Sequence, residues 1–104
     1  MKTLIRQIVS TLEQHPQSIA IEGETFSITN QQLLQKSREF AQGILQLRIE
    51  NSWIGINTNL GWEAYAAILS CWMTGNGYVP MNTKFPPSRI REVIQQTNLR
   101  YCFG

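Results

Sequence analysis

The side chains that could carry out acid–base chemistry are few in this sequence. Its 104 residues include seven acidic ones, all of them glutamates that stand singly, and one histidine, His15. Metal sites and catalytic acid–base pairs need carboxylates or imidazoles grouped together. The sequence therefore predicts neither kind of site. His15 precedes Pro16 and is predicted to lie in the last turn of a first helix, where its charge would favour the negative end of the helix dipole.

Hydroxyl and amine side chains offer no activated nucleophile. Covalent catalysis needs a serine or lysine with a neighbouring base or a lowered pKa. Ser10, Ser37 and Ser70 have no histidine or acidic residue within reach along a helix or strand face. Lys84 follows a short extended segment in a loop. We therefore assign catalysis to none of these residues.

The two cysteines, Cys71 and Cys102, lie far apart in the chain and have no histidine nearby. A reducing compartment would keep both thiols free, and free cysteine is among the residue types most often buried. We predict that both are small, apolar and buried residues of the core.

Aromatic and basic side chains provide two further candidates for ligand binding. Trp53, Trp62 and Trp72 carry rings on which a base or an aromatic ligand would stack. However, Trp53 begins a buried strand pattern and Trp72 falls on the apolar face of a helical pattern, which favours core packing. Arg89 and Arg91 stand near a predicted helix start, where exposed arginines are usually solvated. We assign no ligand to either group.

The stretch TGNGYV, which contains Gly75 and Gly77, is a weak match to a phosphate-binding loop. A phosphate loop leads into the N-terminus of a helix, whose free N–H groups bind the anion. These two glycines follow a helical pattern and lead into the extended residues YVPM. We therefore predict a helix stop at Gly75 and no nucleotide site.

Composition argues against several classes of partner. Only 15% of the residues are charged and the net charge is +2, so no broad basic face is available for nucleic acid. No window approaches the ~20 apolar residues that a membrane-spanning helix requires. The start MKTLIRQIVSTLEQ is interrupted by Arg6, Gln7 and Glu13, unlike a secretory signal. We expect no nucleic acid, no membrane and a cytoplasmic location.

Apolar periodicity and turn residues predict the secondary structure. In chain order, the patterns predict a helix over 3–14, a β-hairpin with one apolar face over 19–28, a helix over 30–47, a strand over 53–57, a helix over 60–74, a short strand over 78–81, a helix over 87–97 and a strand over 101–103. Thr29 and Gln32 are spaced as a capping box. Pro80 favours a short, bent or terminally paired strand. Ile90, Val93 and Ile94 are predicted to be buried.

Strands and helices alternate from residue 53 onward, which implies right-handed βαβ crossovers and a parallel sheet. We predict an α/β fold. It consists of a small, mostly parallel sheet with covering helices, plus an N-terminal helix and a β-hairpin. The length suits one compact unit, so residues 1–104 are predicted to form a single, partial domain.

Four stretches resemble a known family. They are SITNQQL, WIGIN, AYAAILSCWMTGNGYVP and MNTKFPPSRI, and the resemblance covers roughly residues 17–104. They resemble the start of the adenylate-forming (AMP-binding) enzymes, which include acyl-CoA synthetases, luciferases and the adenylation domains of nonribosomal peptide synthetases. That family ends an alanine-rich helix in K-A-G-A-A-Y-V-P-L-D-P. Here Thr74 and Asn76 interrupt the run of small residues, and Met81 and Asn82 stand where Leu-Asp is common.

The resemblance implies an N-terminal subdomain whose catalytic groups lie elsewhere in the enzyme. The family holds the nucleotide phosphates on a T-S-G-T-T-G-x-P-K loop and uses a magnesium-binding carboxylate and a lysine from later segments. None of these motifs occurs in the chain. We expect a truncated structural part of an ATP-dependent acyl or aminoacyl ligase that is not competent alone. ATP and magnesium are expected for the full-length enzyme and no cofactor for this chain.

Two alternatives stay open, a split adenylating enzyme and a non-catalytic interaction or dimerisation module derived from the family. In every case the expected strand over 101–103 has an open edge, and such edges recruit other chains. The expected partners are therefore the remainder of the adenylating enzyme, in the same or a separate chain, and a second copy through this edge.

Overall fold

The first part of the fold is a helix packed beside a β-hairpin. The computed structural model describes residues 2–104, and it begins with α1 (Lys2–Gln14), β1 (Ile19–Glu22) and β2 (Ser27–Thr29). The two strands are antiparallel, as predicted, with an irregular register between Ile19 and Ile21. Ile28 is buried, but Ile19 is 52% exposed. The apolar face of the hairpin is therefore narrower than the alternation predicts.

Helix α2 (Asn30–Gln46) is the longest element, and it begins at the predicted capping box. The Thr29 hydroxyl accepts from the Gln32 N–H at 3.2 Å, and the Gln32 side-chain oxygen accepts from the Thr29 N–H at 2.9 Å. These two bonds satisfy donors that a helix start otherwise leaves free. After α2 the chain turns through Arg48, whose φ of 56° is left-handed.

The second part is a parallel sheet in the order β4-β3-β5. Its elements are β3 (Trp53–Asn57), a short 3-10 helix (Thr58–Leu60), α3 (Glu63–Met73), β4 (Gly77–Met81), α4 (Pro87–Thr97) and β5 (Tyr101–Phe103). The predicted helix over 60–74 is thus shorter, because Gly61 takes a left-handed φ of 72° before α3 starts. At its other end, Gly75 has a φ of 76°, which confirms the predicted stop.

The two crossovers place their helices on opposite faces of the sheet. The β3–α3–β4 connection runs to one side of β3, and β4–α4–β5 returns past β3 to the other side. Right-handed connections in opposite directions cover opposite faces. Accordingly, Ile54 and Ile56 share a cluster with Ala67 of α3. A side chain at Gly55 would face the opposite side of the sheet, where the Leu99 side chain lies in the turn after α4.

The core consists of two clusters that α2 and α3 join. One lies between α1, the hairpin, α2 and α3, and its buried members are Ile5, Leu12, Ile28, Leu33, Leu34, Ala66 and Leu69. The other lies between α2, α3 and the sheet, and its buried members are Ile44, Ile49, Ile54, Ile56, Ala67 and Cys71. The central strand β3 therefore buries its two isoleucines against helices that also hold the first part of the fold.

On the face of the sheet that α4 crosses, the burial predictions for Trp53 and for α4 are wrong. Trp53 is 50% exposed, because it points to this face and its ring lies over Gly77 instead of entering the core. None of residues 87–97, all of which the structure describes, is buried, and Ile94 is 39% exposed. Among the described residues 2–104, no further layer packs on the outer side of α4. The prediction for Pro80 is confirmed, since β4 is an edge strand.

Candidate functional site

Strands β3 and β4 both lead into asparagine turns at the carboxyl edge of the sheet. The Asn57 side-chain oxygen accepts from the Asn59 N–H at 2.9 Å, and the Asn82 side-chain oxygen accepts from the Lys84 N–H at 2.9 Å. Such turns redirect the backbone within two residues. The chain thereby leaves the sheet abruptly at two neighbouring strand ends.

The two turns are bonded to each other and form a single unit. The Asn59 amide donates to the Thr83 hydroxyl at 2.7 Å. We call Asn57, Asn59, Asn82 and Thr83 the asparagine clasp. One of its turns leads to α3 on one face of the sheet and the other leads to α4 on the opposite face. In open α/β sheets, ligands bind in the crevice at such a switch point, so the clasp is the position in this fold where a site is expected.

The chemistry available at the clasp is hydrogen bonding. Its members carry amide and hydroxyl groups, which bind neutral polar groups but do not exchange protons near neutral pH. Lys84 adds one exposed ammonium group. Over residues 2–104 no group of three or more His, Cys, Asp or Glu side chains is placed to hold a metal ion. The clasp can thus orient a polar partner, and it contains no acid, base or nucleophile for a reaction.

A second polar cluster, at the amino edge of the sheet, is buried and fully hydrogen-bonded. Asn76 is 5% exposed, and its side-chain oxygen accepts from the Ser52 N–H at 2.9 Å. Its amide donates to the Ile49 carbonyl at 3.2 Å and to the Thr74 hydroxyl at 2.9 Å. These bonds join the turn after α3 to the turn before β3. We call this cluster the Asn76 lock, and its role is to hold two neighbouring turns together.

The two thiols differ in burial, contrary to the prediction that both lie in the core. Cys71 is fully buried, and this desolvation raises the pKa of its thiol to about 11 against the lowering effect of a Ser70 hydrogen bond. Cys102 is exposed on β5, and partial desolvation raises the pKa of its thiol as well. Cys71 lies in the cluster between α2, α3 and the sheet, whereas Cys102 lies on an edge strand.

We expect the two thiols to react with a thiol reagent at very different rates at pH 8. Cys102 should be modified in the native chain, whereas Cys71 should react only when the chain unfolds. The course of labelling by Ellman's reagent, with and without urea, measures this difference. In a Cys102→Ser variant the rapid phase should disappear. Equal rates for both thiols in the wild-type chain would contradict the burial of Cys71.

The stability of the chain should also fall as the pH rises from 9.0 to about 11. In this range the Cys71 thiol ionises only in the unfolded chain, because burial raises its pKa from 9.0 to about 11 in the folded chain. The unfolded state then binds fewer protons, so the free energy of unfolding decreases with pH. Urea titrations at several pH values measure the slope. A Cys71→Ala variant should show a smaller slope; an identical slope would contradict the assignment.

The other candidate residues are placed as ordinary structural or surface groups. Ser37 and Ser70 are fully buried, and their hydroxyls donate to the carbonyls of Leu33 and Ala67. His15 directly follows α1, which ends at Gln14, and its N–H donates to the Thr11 carbonyl of the last turn at 3.2 Å, while its carbonyl accepts from the Asn30 amide at 2.9 Å. The remaining candidates are exposed or half-buried: Ser10, Trp62, Trp72, Gly75, Gly77, Lys84, Arg89 and Arg91.

An open apolar groove lies between α2 and β5. Phe40 and Leu47 line it from α2, and Tyr101 and Phe103 line it from β5. The rings of Phe40 and Phe103 lie 4.9 Å apart at the inner end. Leu47 is 68% exposed and Tyr101 is 38% exposed. We call this feature the α2–β5 groove; it runs beside the free edge of β5.

The sequence that forms this fold also matches a known protein family. The family model described as AMP-binding enzyme matches residues 8–104. The chain belongs to the AMP-binding enzyme family. In this chain, two members of the asparagine clasp, Asn82 and Thr83, lie in the segment that follows YVP. There Asn82 provides a side-chain oxygen for its turn, an acceptor that the aspartate common in the family also carries.

Two curated relatives extend the comparison to whole enzymes. This chain is 27% identical over 89 residues to tyrocidine synthase 1 of Brevibacillus parabrevis, and the match covers 85% of this chain and 8% of that protein. It is 25% identical over 104 residues to the D-alanine–D-alanyl carrier protein ligase of Staphylococcus aureus, which covers all of this chain and 21% of the ligase. The chain thus spans about a fifth or less of these relatives.

A solved structure shows the same fold. The N-terminal subdomain of NpsA from Klebsiella oxytoca superposes on this chain with a TM-score of 0.82 at 21% sequence identity. The alignment covers 94% of this chain and 26% of that subdomain. The predicted α/β fold and its correspondence to the N-terminal part of the family are confirmed. The chain amounts to about a quarter of such a subdomain.

The sequence analysis proposes neither the asparagine clasp nor the Asn76 lock as a candidate site. The sequence nevertheless contains a pattern that indicates the clasp. The dipeptide Asn-Thr follows the apolar residues of both strands, in WIGINTN and in YVPMNTK. Asparagine after a buried strand is typical of a turn that uses its side chain. No comparable signal marks Asn76, whose partner Ile49 is 27 residues away in the chain.

Proposed function

We propose that this chain is the structural N-terminal part of an ATP-dependent adenylate-forming ligase, with residues 1–104 forming one partial domain. The remainder of the ligase would bind ATP, magnesium and the acid. The observation that carries this proposal is that residues 8–104 match the family while the chain spans only 21% of a whole ligase. A nucleotide-dependent ligase of this kind would act in the cytoplasm.

The geometry supports a structural role for the chain. Its polar clusters, the asparagine clasp and the Asn76 lock, hold neighbouring turns together. Its buried serines donate to helix carbonyls and its buried thiol has a raised pKa, so none of these groups is an activated nucleophile. Meanwhile an edge strand, a groove and one side of α4 remain uncovered. A scaffold that other parts of an enzyme cover would have these features.

We further propose an amino acid as the acid that the whole enzyme activates. One relative is a ligase for D-alanine and a D-alanyl carrier protein. The other relative is tyrocidine synthase 1. The acid pocket itself would belong to the remainder of the enzyme, so the identity of the amino acid is a property of that part.

ATP–pyrophosphate exchange tests the proposal directly. The 104-residue chain alone should give no exchange with any amino acid, because a phosphate-binding loop and a charge-stabilising lysine are needed for this reaction. Exchange should appear when the chain is mixed with a polypeptide that carries the rest of an adenylation domain, such as the staphylococcal ligase without the segment that matches this chain. Exchange by the chain alone would overturn the structural role.

A further inference from the structure

A polar cleft lies at the amino edge of the sheet, at the opposite end of the strands from the asparagine clasp. Its volume is about 390 Å³, within the range of about 300–1,000 Å³ that small-molecule sites occupy. One wall consists of residues 48–53, before and at the start of β3, and the other of residues 97–101, between α4 and β5. We call it the amino-edge cleft. Arg48 lies on the first wall and Arg100 on the second.

The unusual backbone conformations of the chain are concentrated in the walls of this cleft. Over residues 2–104, three residues other than glycine have a left-handed φ, and all three line the cleft: Arg48 at 56°, Asn51 at 47° and Asn98 at 53°. Asparagine tolerates this conformation, whereas a helix that stops in it usually does so at glycine. Helix α2 stops at Arg48 instead. Because strained backbone is concentrated at ligand sites, the amino-edge cleft is a candidate for one.

The charges that line the cleft favour an anion. Among the described residues the structure has two ion pairs, both formed by side chains of α1 and α2, and neither includes Arg48 or Arg100. Glu50 also lines the cleft, and it is paired with neither arginine. The lining therefore carries one more positive than negative charge. A guanidinium group can bind both oxygens of a carboxylate or phosphate at once, which makes arginine well suited to such ligands.

Trp53 gives the cleft an aromatic wall. Its side chain is 50% exposed, and its ring lies over Gly77, its pairing partner on β4. Arg100 lies on the other side of β3, directly before Tyr101, which pairs with Ile54. The indole ring therefore leans away from Arg100 and leaves the space between the two walls open. An exposed indole ring is a surface on which a planar ring stacks.

The wall that carries Trp53 is held in place by the Asn76 lock. The Ser52 N–H donates to the Asn76 side-chain oxygen at 2.9 Å, and the Ser52 hydroxyl donates to the Glu50 carbonyl at 2.8 Å. The Ser52 carbonyl in turn accepts from the Gly77 N–H at 3.0 Å. A site whose walls are already fixed loses less conformational entropy when a ligand binds. The amino-edge cleft is therefore a preformed site.

We propose that the amino-edge cleft binds a small aromatic anion, that is, a planar ring that carries a phosphate or a carboxylate group. The anionic group would lie between the guanidinium groups of Arg48 and Arg100, and the ring would stack on Trp53. The proposal goes beyond the proposed function, because the crevice where open α/β sheets usually bind ligands lies at the carboxyl edge. Its failure would leave the structural role of the chain untouched.

NMR titration of the 104-residue chain tests the proposal through the indole N–H signals of its three tryptophans. The probes are inosine monophosphate and benzoate, which carry a ring with either anionic group, inosine, which lacks the anion, and inorganic phosphate, which lacks the ring. The signal of Trp53, identified by its loss in Trp53→Phe, should shift with half-saturation at about 1 mM or less for at least one aromatic anion. The signals of Trp62 and Trp72 should not shift.

The pattern among the probes identifies the source of the anion. The aromatic anion with the lower half-saturation concentration indicates whether the ligand is a nucleoside phosphate or an aromatic carboxylate. Inosine and inorganic phosphate should each bind at least about tenfold more weakly than that probe, because each lacks one of the two contacts. Equal binding of inorganic phosphate, or no saturable shift below about 10 mM with either aromatic anion, would overturn the proposal.

Arg48→Gly should have opposite effects on binding and on stability. The substitution removes one guanidinium group, so binding of the better aromatic anion should weaken about tenfold or more. Glycine, however, suits the φ of 56° better than arginine does, so the midpoint of urea unfolding should rise. Arg89→Gln is the matched control, since Arg89 is exposed on α4 outside the cleft, and it should leave binding unchanged. Unchanged binding in Arg48→Gly would overturn the proposal.

The sign of the charge on the ligand is tested by Glu50→Gln. Among the described residues that line the cleft, Glu50 alone is acidic. Its neutralisation should tighten binding of the better aromatic anion about two- to fivefold, because it removes a repulsion from the bound charge. Arg100→Gln should weaken the same binding about tenfold or more. If Glu50→Gln weakened binding, or Arg100→Gln left it unchanged, the ligand would not be an anion held between the two walls and the proposal would be wrong.

Discussion

Replacing Ile56 with alanine is expected to lower the free energy of unfolding by about 2–5 kcal/mol, the range for removing most of a buried isoleucine side chain. Ile56 is 2% exposed and lies on the central strand, in the cluster that joins the sheet to α2 and α3. The helices around Ile56 are closely packed and can move too little to fill the cavity that the substitution leaves. Domains of this size have a total stability of about 5–15 kcal/mol, so the variant should lie close to the unfolding threshold.

Equilibrium unfolding in urea measures this loss, and Ile94→Ala is the matched control. Ile94 is 39% exposed on α4, where the same substitution removes much less buried surface. It should therefore cost less than about 1 kcal/mol. The contrast tests the finding that α4 lacks a covering layer. If Ile94→Ala were as destabilising as Ile56→Ala, α4 would be packed more closely than the structure shows.

The second large effect is expected at the Asn76 lock. Asn76→Ala should lower the free energy of unfolding by about 2–4 kcal/mol, because it leaves the half-buried Ser52 N–H and the buried Ile49 carbonyl without partners, each costing about 1–3 kcal/mol. The Asn76 side-chain oxygen accepts from the Ser52 N–H, and the Asn76 amide donates to the Ile49 carbonyl. The loss should appear in urea unfolding as a lower midpoint with an unchanged slope.

Two variants place this result in context. Asn59→Ala removes the exposed bond between Asn59 and Thr83 in the asparagine clasp, and it should cost about 0.5–1.5 kcal/mol. Asn76→Asp keeps the acceptor for Ser52 but puts a carboxylate oxygen against the Ile49 carbonyl, so it should be at least as destabilising as Asn76→Ala. If Asn76→Asp were neutral, the amide donor would have no structural role.

Most secondary structure elements follow from local sequence patterns. The capping box at Thr29 and Gln32 and the left-handed stop at Gly75 depend on neighbours within a few residues, and they are where the sequence places them. The helix over 60–74 is predicted too long, because Gly61 interrupts it. The resemblance to adenylate-forming enzymes is equally local, since it is carried by short contiguous motifs, and the family match confirms it.

Burial and the candidate sites are predicted less well, for a physical reason. Helical periodicity shows that α4 has an apolar face, but it does not show whether another layer covers that face. Trp53 begins an apolar strand, yet strand alternation directs it away from Ile54 and toward the face with α4. The Asn76 lock joins turns that are distant in the chain. None of these outcomes depends on local pattern alone.

By itself, the sequence determined the order of helices and strands, their caps and stops, the parallel sheet and the family, because backbone preferences and apolar periodicity act over a few residues. Only the tertiary structure decided which strands lie at the edges, which thiol is buried and which asparagines are bonded across turns. These features depend on the strand order and register, which bring together residues that are far apart in the chain.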